Sequence, residues 1–213
     1  MKRTNSADAN CEAAMTVFVV DDDDAMRRGL EFLIRSAGYE VAGFNSARAF
    51  LDHYRPTMRG CLLLDVRMPG MSGPELQEHL KSEQIAIPII IVTAYANVPT
   101  AVRAMQVGAL DFIEKPFEGS ELLDRVRRAL TRDTEIRADE GRVKRIRSRR
   151  ADLTPREREV MDLVVTGLLN KQIAAELCIS MKTVENHRAR VMDKMKVESL
   201  AELVRLSMIA EAR

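Results

Sequence analysis

Carboxylates crowded together without a cation repel one another and are pushed toward protonation. The stretch VVDDDD, residues 19–24, places four aspartates directly after an apolar run. Asp21 and Asp22 follow that run, and Asp65 follows a second one, CLLL. Thr93 closes a third, IIIVT, and Lys115 ends a fourth just before Pro116. If these runs are strands that end at one edge, three carboxylates, a hydroxyl and an ammonium meet there. The carboxylates suit a hard divalent ion such as Mg²⁺, which accepts few protein oxygens and keeps waters or a phosphate for its other positions. Cations that neutralise the oxygens of a moving group are what phosphoryl transfer needs, with Asp65 as the acceptor.

The elements that must position these groups are legible in the hydrophobic pattern. Short β-branched runs at residues 17–20, 39–44, 61–64, 89–93 and 110–113 alternate with segments of helical spacing, such as Met26, Leu30, Leu33, Ile34 and Ala37. Gly38 stands where that helix should stop, and Asp24 is placed to cap its start, with Asp23 and Asp24 both favoured by the helix dipole. CLLL and IIIV are apolar on consecutive residues, as central strands covered on both faces should be. The expected fold over residues 15–130 is therefore α/β, a five-stranded doubly wound parallel sheet, whose functional groups gather beyond the carboxyl ends of the strands.

Residues 131–150, TRDTEIRADEGRVKRIRSRR, carry few apolar side chains and read as a charged helical linker. Residues 151–213 read as a small all-α domain of four helices. Its first helix has Thr154 as cap, Pro155 in the first turn, Glu157 three residues after the cap and Gly167 as terminator. The chain is 213 residues long with net charge +1, yet residues 1–130 hold 15 Lys and Arg against 18 Asp and Glu, while residues 131–213 hold 18 against 14. An acidic part joined to a basic one suggests two tasks, with nucleic acid a candidate partner for the second.

VVDDDD, LLLDVRMPGMSG, IIIVTAYA and GALDFIEKPF together resemble the receiver domain of two-component response regulators. The resemblance implies phosphorylation of Asp65 by a sensor histidine kinase. It implies Mg²⁺ on Asp22, Asp65 and the backbone carbonyl of Arg67, assisted by Asp21. It also implies that Thr93 and Lys115 contact the phosphoryl group, that Phe112 moves with Thr93, and that the Lys115–Pro116 peptide is cis. Tyr95 is a further aromatic near this switch. A phosphorylation-favoured homodimer is implied on the surface of the fourth helix, fifth strand and fifth helix. There Val98, Ala101, Val102 and Met105 form an apolar stripe, and Arg103, Arg125, Arg127, Asp111, Glu114 and Asp124 are placed for ion pairs between two copies.

In the tail, NKQIAAELC and SMKTVENHRARVMDKM are two helices broken around Cys178 to Ser180, with Ser180 as cap of the second. On the second, Val184, Arg188, Val191 and Met195 recur at helical spacing and mark its buried side. The opposite side presents Lys182, Glu185, Asn186, Ala189 and Arg190, flanked by Thr183 and His187. Such a helix fits the major groove of DNA, where Asn reads adenine, Glu accepts from cytosine, and Lys or Arg reaches guanine or phosphate. The segment from Leu153 onward resembles the LuxR-type helix-turn-helix, and its pairing with a receiver is similar to the NarL/FixJ class. The resemblance implies a transcription regulator bound to double-stranded promoter DNA, with RNA polymerase a candidate further partner. The basic run 142–150 adds phosphate attraction.

Two other classes remain open. A Mg²⁺-dependent phosphatase working through an aspartyl phosphate would share the acidic chemistry, although its nucleophile is expected after the first strand rather than the third. A receiver joined to a non-DNA interaction module would share the first domain. No nucleotide-binding glycine loop appears, and His53, His79 and His187 lack ligand spacing. Twelve methionines read as flexible core filler. Cys11, Cys61 and Cys178 read as reduced thiols. The longest apolar run, IAIPIIIV, is too short to span a bilayer and contains Pro88, so the expectation is a cytoplasmic protein without membrane contact that is not an enzyme.

Overall fold

The computed structural model describes residues 15–94 and 98–211; Cys11 and Tyr95 lie outside the described residues. The chain divides into two compact units between Ile136 and Arg137.

The first unit runs β1 (Thr16–Val20), α1 (Asp24–Ser36), β2 (Glu40–Phe44), α2 (Ala47–His53), β3 (Gly60–Leu64), α3 (Gly73–Ser82), β4 (Ile89–Thr93), α4 (Val98–Val107), β5 (Asp111–Glu114) and the start of α5 (Gly119–Ala151). The strands form one sheet in the order β2-β1-β3-β4-β5, every pair parallel. Successive side chains on a strand point to opposite faces, so each strand feeds two cores. Phe18, Leu62, Leu64 and Ile91 pack on one face with Phe50, Leu76 and Leu80, while Val17, Val19, Leu63, Ile90 and Val92 pack on the other with Leu30, Ile34, Leu122 and Val126. All five residues of β3 and of β4 are buried, which accounts for their unbroken apolar sequence.

Register does the positioning. Val20 pairs with Leu64 and Thr93 with Glu114, so Asp21 and Asp65 emerge level from neighbouring strands and Lys115 follows immediately beyond β5. The cap of α1 differs from expectation. Asp23, in extended backbone, accepts from the amides of Ala25 and Met26, whereas Asp24 is already helical and pairs with Arg27. A capping side chain must sit on the residue just outside the helix, and the helix starts one residue earlier than the apolar pattern suggested.

The segment read as a charged helical linker is helical: α5 continues unbroken through residues 131–150 to Ala151. Its charges pair along the helix, Arg132 with Glu135 at 2.9 Å and Arg142 with Asp139 at 3.4 Å. Two buried residues anchor it: Asp133 faces Arg59 in the first unit, and Ile146 joins the core of the second. One buried ion pair and one buried apolar side chain thus tie the charged helix to packed structure.

The second unit adds α6 (Pro155–Val165), α7 (Asn170–Glu176), α8 (Met181–Met195) and α9 (Leu200–Glu211). Val160, Met161, Ile173, Val184, Val191 and Leu203 form its core. The expected capping box is present: Thr154 accepts from the amide of Glu157, and Glu157 accepts from that of Thr154 at 2.9 Å. Glu157 also receives the Lys194 ammonium at 2.7 Å while only 2% exposed, tying α6 to α8. That ammonium, together with the Thr154 amide, lowers the Glu157 carboxyl to about 2 from its ordinary 4.5. A depressed carboxyl stabilises the fold above its unfolded value and ceases to do so as pH falls through its folded one. The helical domain should therefore lose stability as pH drops from about 4.5 toward about 2. Thermal melts followed by circular dichroism should show Glu157→Gln less stable by about 1–2 kcal/mol at neutral pH and with a flatter acid limb. Parallel acid limbs for the two proteins would assign the sensitivity elsewhere.

Candidate functional site

At the carboxyl edge of the sheet, Lys115 Nζ donates to Asp21 Oδ2 at 2.7 Å and to Asp65 Oδ1 at 3.0 Å. The remaining carboxylate oxygens are held by backbone amides: Asp21 Oδ1 accepts from Asp23 N at 2.9 Å, and Asp65 Oδ2 from Arg67 N at 2.7 Å. Both aspartates are buried, Asp21 at 2% exposure and Asp65 at 8%. Burial pushes the Asp65 carboxyl above its ordinary range and outweighs the opposing pull of Lys115, with the Asp21 charge adding to the rise. Burial likewise pulls the Lys115 ammonium down, yet its hydrogen bonds to Asp21 and Asp65 carry it above its ordinary value. Both shifts describe one desolvated cluster in which a single cation serves two anions.

Other groups complete the edge. Thr93 is fully buried at the end of β4, and its carbonyl accepts from Lys115 N at 2.9 Å. The Lys115–Pro116 peptide is cis. Phe112 lies opposite Ile91 on β5, half-buried against the core. Arg27, which the sequence did not single out, donates to the Asp21 carbonyl at 2.8 Å. Gly73 opens α3 so close to the Asp65 carbonyl that a Cβ there would collide with it. The PGMSG spacing carried that signal.

The three aspartates of this edge differ in setting: Asp22 is exposed, whereas Asp21 and Asp65 are buried and share the Lys115 ammonium.

On the face formed by α4, β5 and α5, Val98, Val102 and Met105 are exposed and Ala101 is half-buried. Five of the six charges expected to bridge two copies are paired within the chain, Arg125 with Asp111 and Glu121, Arg127 with Asp124, and Arg103 with Glu78 on α3, while Glu114 has no ion pair among the described residues.

In the helical unit, Ser180 caps α8 by accepting from Thr183 N at 3.0 Å, and Cys178 makes the break with a φ of 53°. Val184, Val191 and Met195 are buried, and half-buried Arg188 donates to Asn170 Oδ1 at 2.6 Å, bracing α8 on α7. Lys182, Glu185, Asn186, Ala189 and Arg190 are all exposed on the other side, with Thr183 and His187 half-buried at its margins. Lys182 and Glu185 pair at 3.2 Å. Such an array, polar and free of core contacts, can read base edges.

Two family models match the chain, the response regulator receiver domain over residues 17–127 and the luxR family of bacterial regulatory proteins over residues 151–207. Nodulation protein W of Bradyrhizobium diazoefficiens is 49% identical over 90% of this chain and 84% of its own. The transcriptional regulatory protein FixJ of the same organism is 47% identical over 91% of this chain and 95% of its own. Among solved structures, the response regulator StyR is similar with a TM-score of 0.79 at 49% identity, covering 92% of this chain and 98% of that one. Full-length FixJ from B. japonicum gives 0.56 at 46% identity, covering 93% and 98%. Removing the shared cation tests the geometry directly. In Lys115→Met, carboxyl-detected NMR should find Asp65 titrating at higher pH than in the unaltered chain, since burial and Asp21 are then opposed only by the Arg67 amide. An unmoved titration would mean that the ammonium does not neutralise this site.

Proposed function

The chain belongs to the response regulators that join a receiver to a LuxR-type DNA-binding domain, and from that premise we propose that Asp65 is its phosphoacceptor. Proteins of this kind are phosphorylation-controlled transcription regulators, served by a histidine kinase and acting on DNA. The observation that carries the assignment is the ammonium of Lys115 at 3.0 Å from Asp65 Oδ1, on a carboxylate positioned beyond the central strand. A carboxylate oxygen of Asp65 attacks the phosphorus of the kinase's phosphohistidine. The phosphorus–nitrogen bond breaks, and its electron pair leaves with the imidazole. Lys115 neutralises charge on the transferred group, a role an ammonium fulfils best in a partly desolvated pocket.

The donors at this edge fit a hard divalent ion. Asp21 and Asp65 are two facing carboxylates, Asp22 is next in sequence and exposed, and the Asp21 charge already raises the Asp65 carboxyl, a repulsion that a cation relieves. Asp22, Asp65 and the carbonyl of Arg67, with Asp21 assisting, would hold Mg²⁺, whose chemistry is to neutralise phosphoryl oxygens. Once the acyl phosphate forms, its oxygens accept from Thr93, and the half-buried ring of Phe112 turns into the space released. The outer face changes with it. The apolar stripe of Val98, Val102 and Met105 then pairs with a second copy, bringing two helix-turn-helix units to a two-part promoter site and to RNA polymerase. The mark is regulatory, so the protein turns over no substrate of its own and works in the cytoplasm; no described helix is long and apolar enough to cross a membrane.

Acetyl phosphate with Mg²⁺ should add one phosphoryl mass to the intact chain and shift its sedimentation toward a dimer. Neither change should occur in Asp65→Asn, and an unmodified wild-type chain would overturn the assignment. In an electrophoretic shift on a selected promoter fragment, Asn186→Ala and Arg190→Ala should each weaken binding by about tenfold to a hundredfold, the value of one base-edge contact. Unchanged shifts in both would move the reading face elsewhere on the domain.

A further inference from the structure

A helix ends in carbonyl groups that its own turns cannot satisfy. In the helical unit an arginine from another helix meets that need three times. Arg156 of α6 donates to the Leu177 carbonyl at the end of α7. Arg149 Nη1 donates to the Met195 carbonyl at the end of α8 at 3.1 Å, and Arg147 donates to the Ala210 carbonyl of α9 from Nε and Nη2 at 3.4 and 3.3 Å. Arg147 and Arg149 belong to the last turns of α5, within the basic run 142–150. The sequence offers that run to phosphate, yet half-buried Arg149 turns its guanidinium onto the helix that carries the reading side. A cation at the carboxyl end of a helix is favoured by the helix dipole as well. In the last turn of α8, the carbonyls of Met192 and Asp193 accept from the Lys196 amide, which stands at a φ of 54°, whereas that of Met195 accepts from another helix.

We propose, resting on the reading side of α8 assigned above, that Arg149 is a positioning residue for DNA recognition. It touches no DNA; by holding the carboxyl end of α8 it fixes the tilt at which Glu185, Asn186 and Arg190 meet base edges. α8 runs from Met181 to Met195, about 21 Å at 1.5 Å per residue. Ser180 caps its amino end, Arg188 braces it on Asn170, and buried Met195 with Arg149 fixes the far end. A displacement of about 1 Å at that end, pivoting on the cap, carries Arg190 by roughly 0.6 Å. Base-edge hydrogen bonds are short and directional and do not survive such a shift intact. Attraction to phosphates is a Coulomb effect felt over about 10 Å and is indifferent to it. Loss of the Arg149 contact therefore costs sequence discrimination and spares general affinity for DNA. A guanidinium lying on the phosphates would lose both together.

The test measures binding of the full-length chain to two duplexes, one selected by that chain from a random library and one a shuffled version of it. Arg149→Met keeps the aliphatic stem and removes the donor, while Arg147→Met removes a charge of the same run whose carbonyl lies on α9. In Arg149→Met the selected duplex should bind about fivefold more weakly, the worth of one hydrogen bond. The shuffled duplex should bind as before, and the dependence of affinity on salt should keep its slope. Arg147→Met should leave the preference for the selected duplex intact. Equal weakening of both duplexes, with the slope lowered by about 0.9 for a lost phosphate contact, would overturn the proposal. So would an unchanged preference in Arg149→Met, whatever its melting temperature, since Arg149 would then serve stability alone. An equal loss of preference in Arg147→Met would overturn it too, because the effect would follow the charge of the run and not the end of α8. Should Arg149→Met fail to fold, Arg149→Lys decides: it keeps the charge on a shorter, single-point donor, and its preference should fall with the slope unaltered, an unchanged preference counting against the proposal. If the unaltered chain selects no duplex, the reading side of α8 falls and this role with it; once a duplex is selected, only the variants decide the role of Arg149.

Discussion

The Nζ of Lys115 lies 2.7 Å from Asp21 and 3.0 Å from Asp65, and most of the receiver can be understood as what holds those three groups together. They come from positions 21, 65 and 115, after β1, β3 and β5, so their meeting requires a sheet whose strands end level and whose order leaves β4 between the second and third contributors. Without the ammonium, two buried carboxylates would face each other in a medium that screens charge poorly. With it, one of the two negative charges is balanced, while burial still holds the Asp65 carboxyl above its ordinary range.

The same constraint links the site to the surface. Lys115 is joined to β4 through the Thr93 carbonyl, and Phe112 sits three residues earlier, on β5, opposite Ile91. On the proposed phosphoacceptor assignment, a new anion on Asp65 would compete with Asp21 for that ammonium, and the disturbance would fall first on β4 and β5. These are the strands bordering α4, whose outer side carries exposed apolar residues while Arg103 and Arg125 nearby are paired within the chain. An apolar stripe framed by neutralised ion pairs is easier to bury than one ringed by free charges.

The helical unit solves a different problem, which is to keep one side of α8 out of the core. Val184, Val191 and Met195 commit one side to packing, Arg188 braces α8 on α7 through Asn170, and Lys194 locks it to α6 through Glu157. With its inner side held from three directions, the outer side can carry Lys182, Glu185, Asn186 and Arg190 without cost to the fold.

Much of this was legible in the residues alone. Consecutive apolar runs marked central strands, the Thr154–Glu157 spacing marked a helix start, and the period of Val184, Val191 and Met195 separated the two sides of α8, because each of these signals is local and repeats with the geometry of its element. The meeting of Asp21, Asp65, Thr93 and Lys115 at one edge could be anticipated because parallel strands present their carboxyl ends together. What the residues could not decide was who pairs with whom. Asp23 and not Asp24 caps α1, Asp22 is exposed while Asp21 and Asp65 share an ammonium, Arg125 and Arg127 turn to partners in their own chain, and α5 persists to Ala151. Each of these depends on distances between side chains far apart in sequence or on a one-residue shift of a helix start. Such contacts are chosen by tertiary packing, where ångströms decide between partners of the same chemistry.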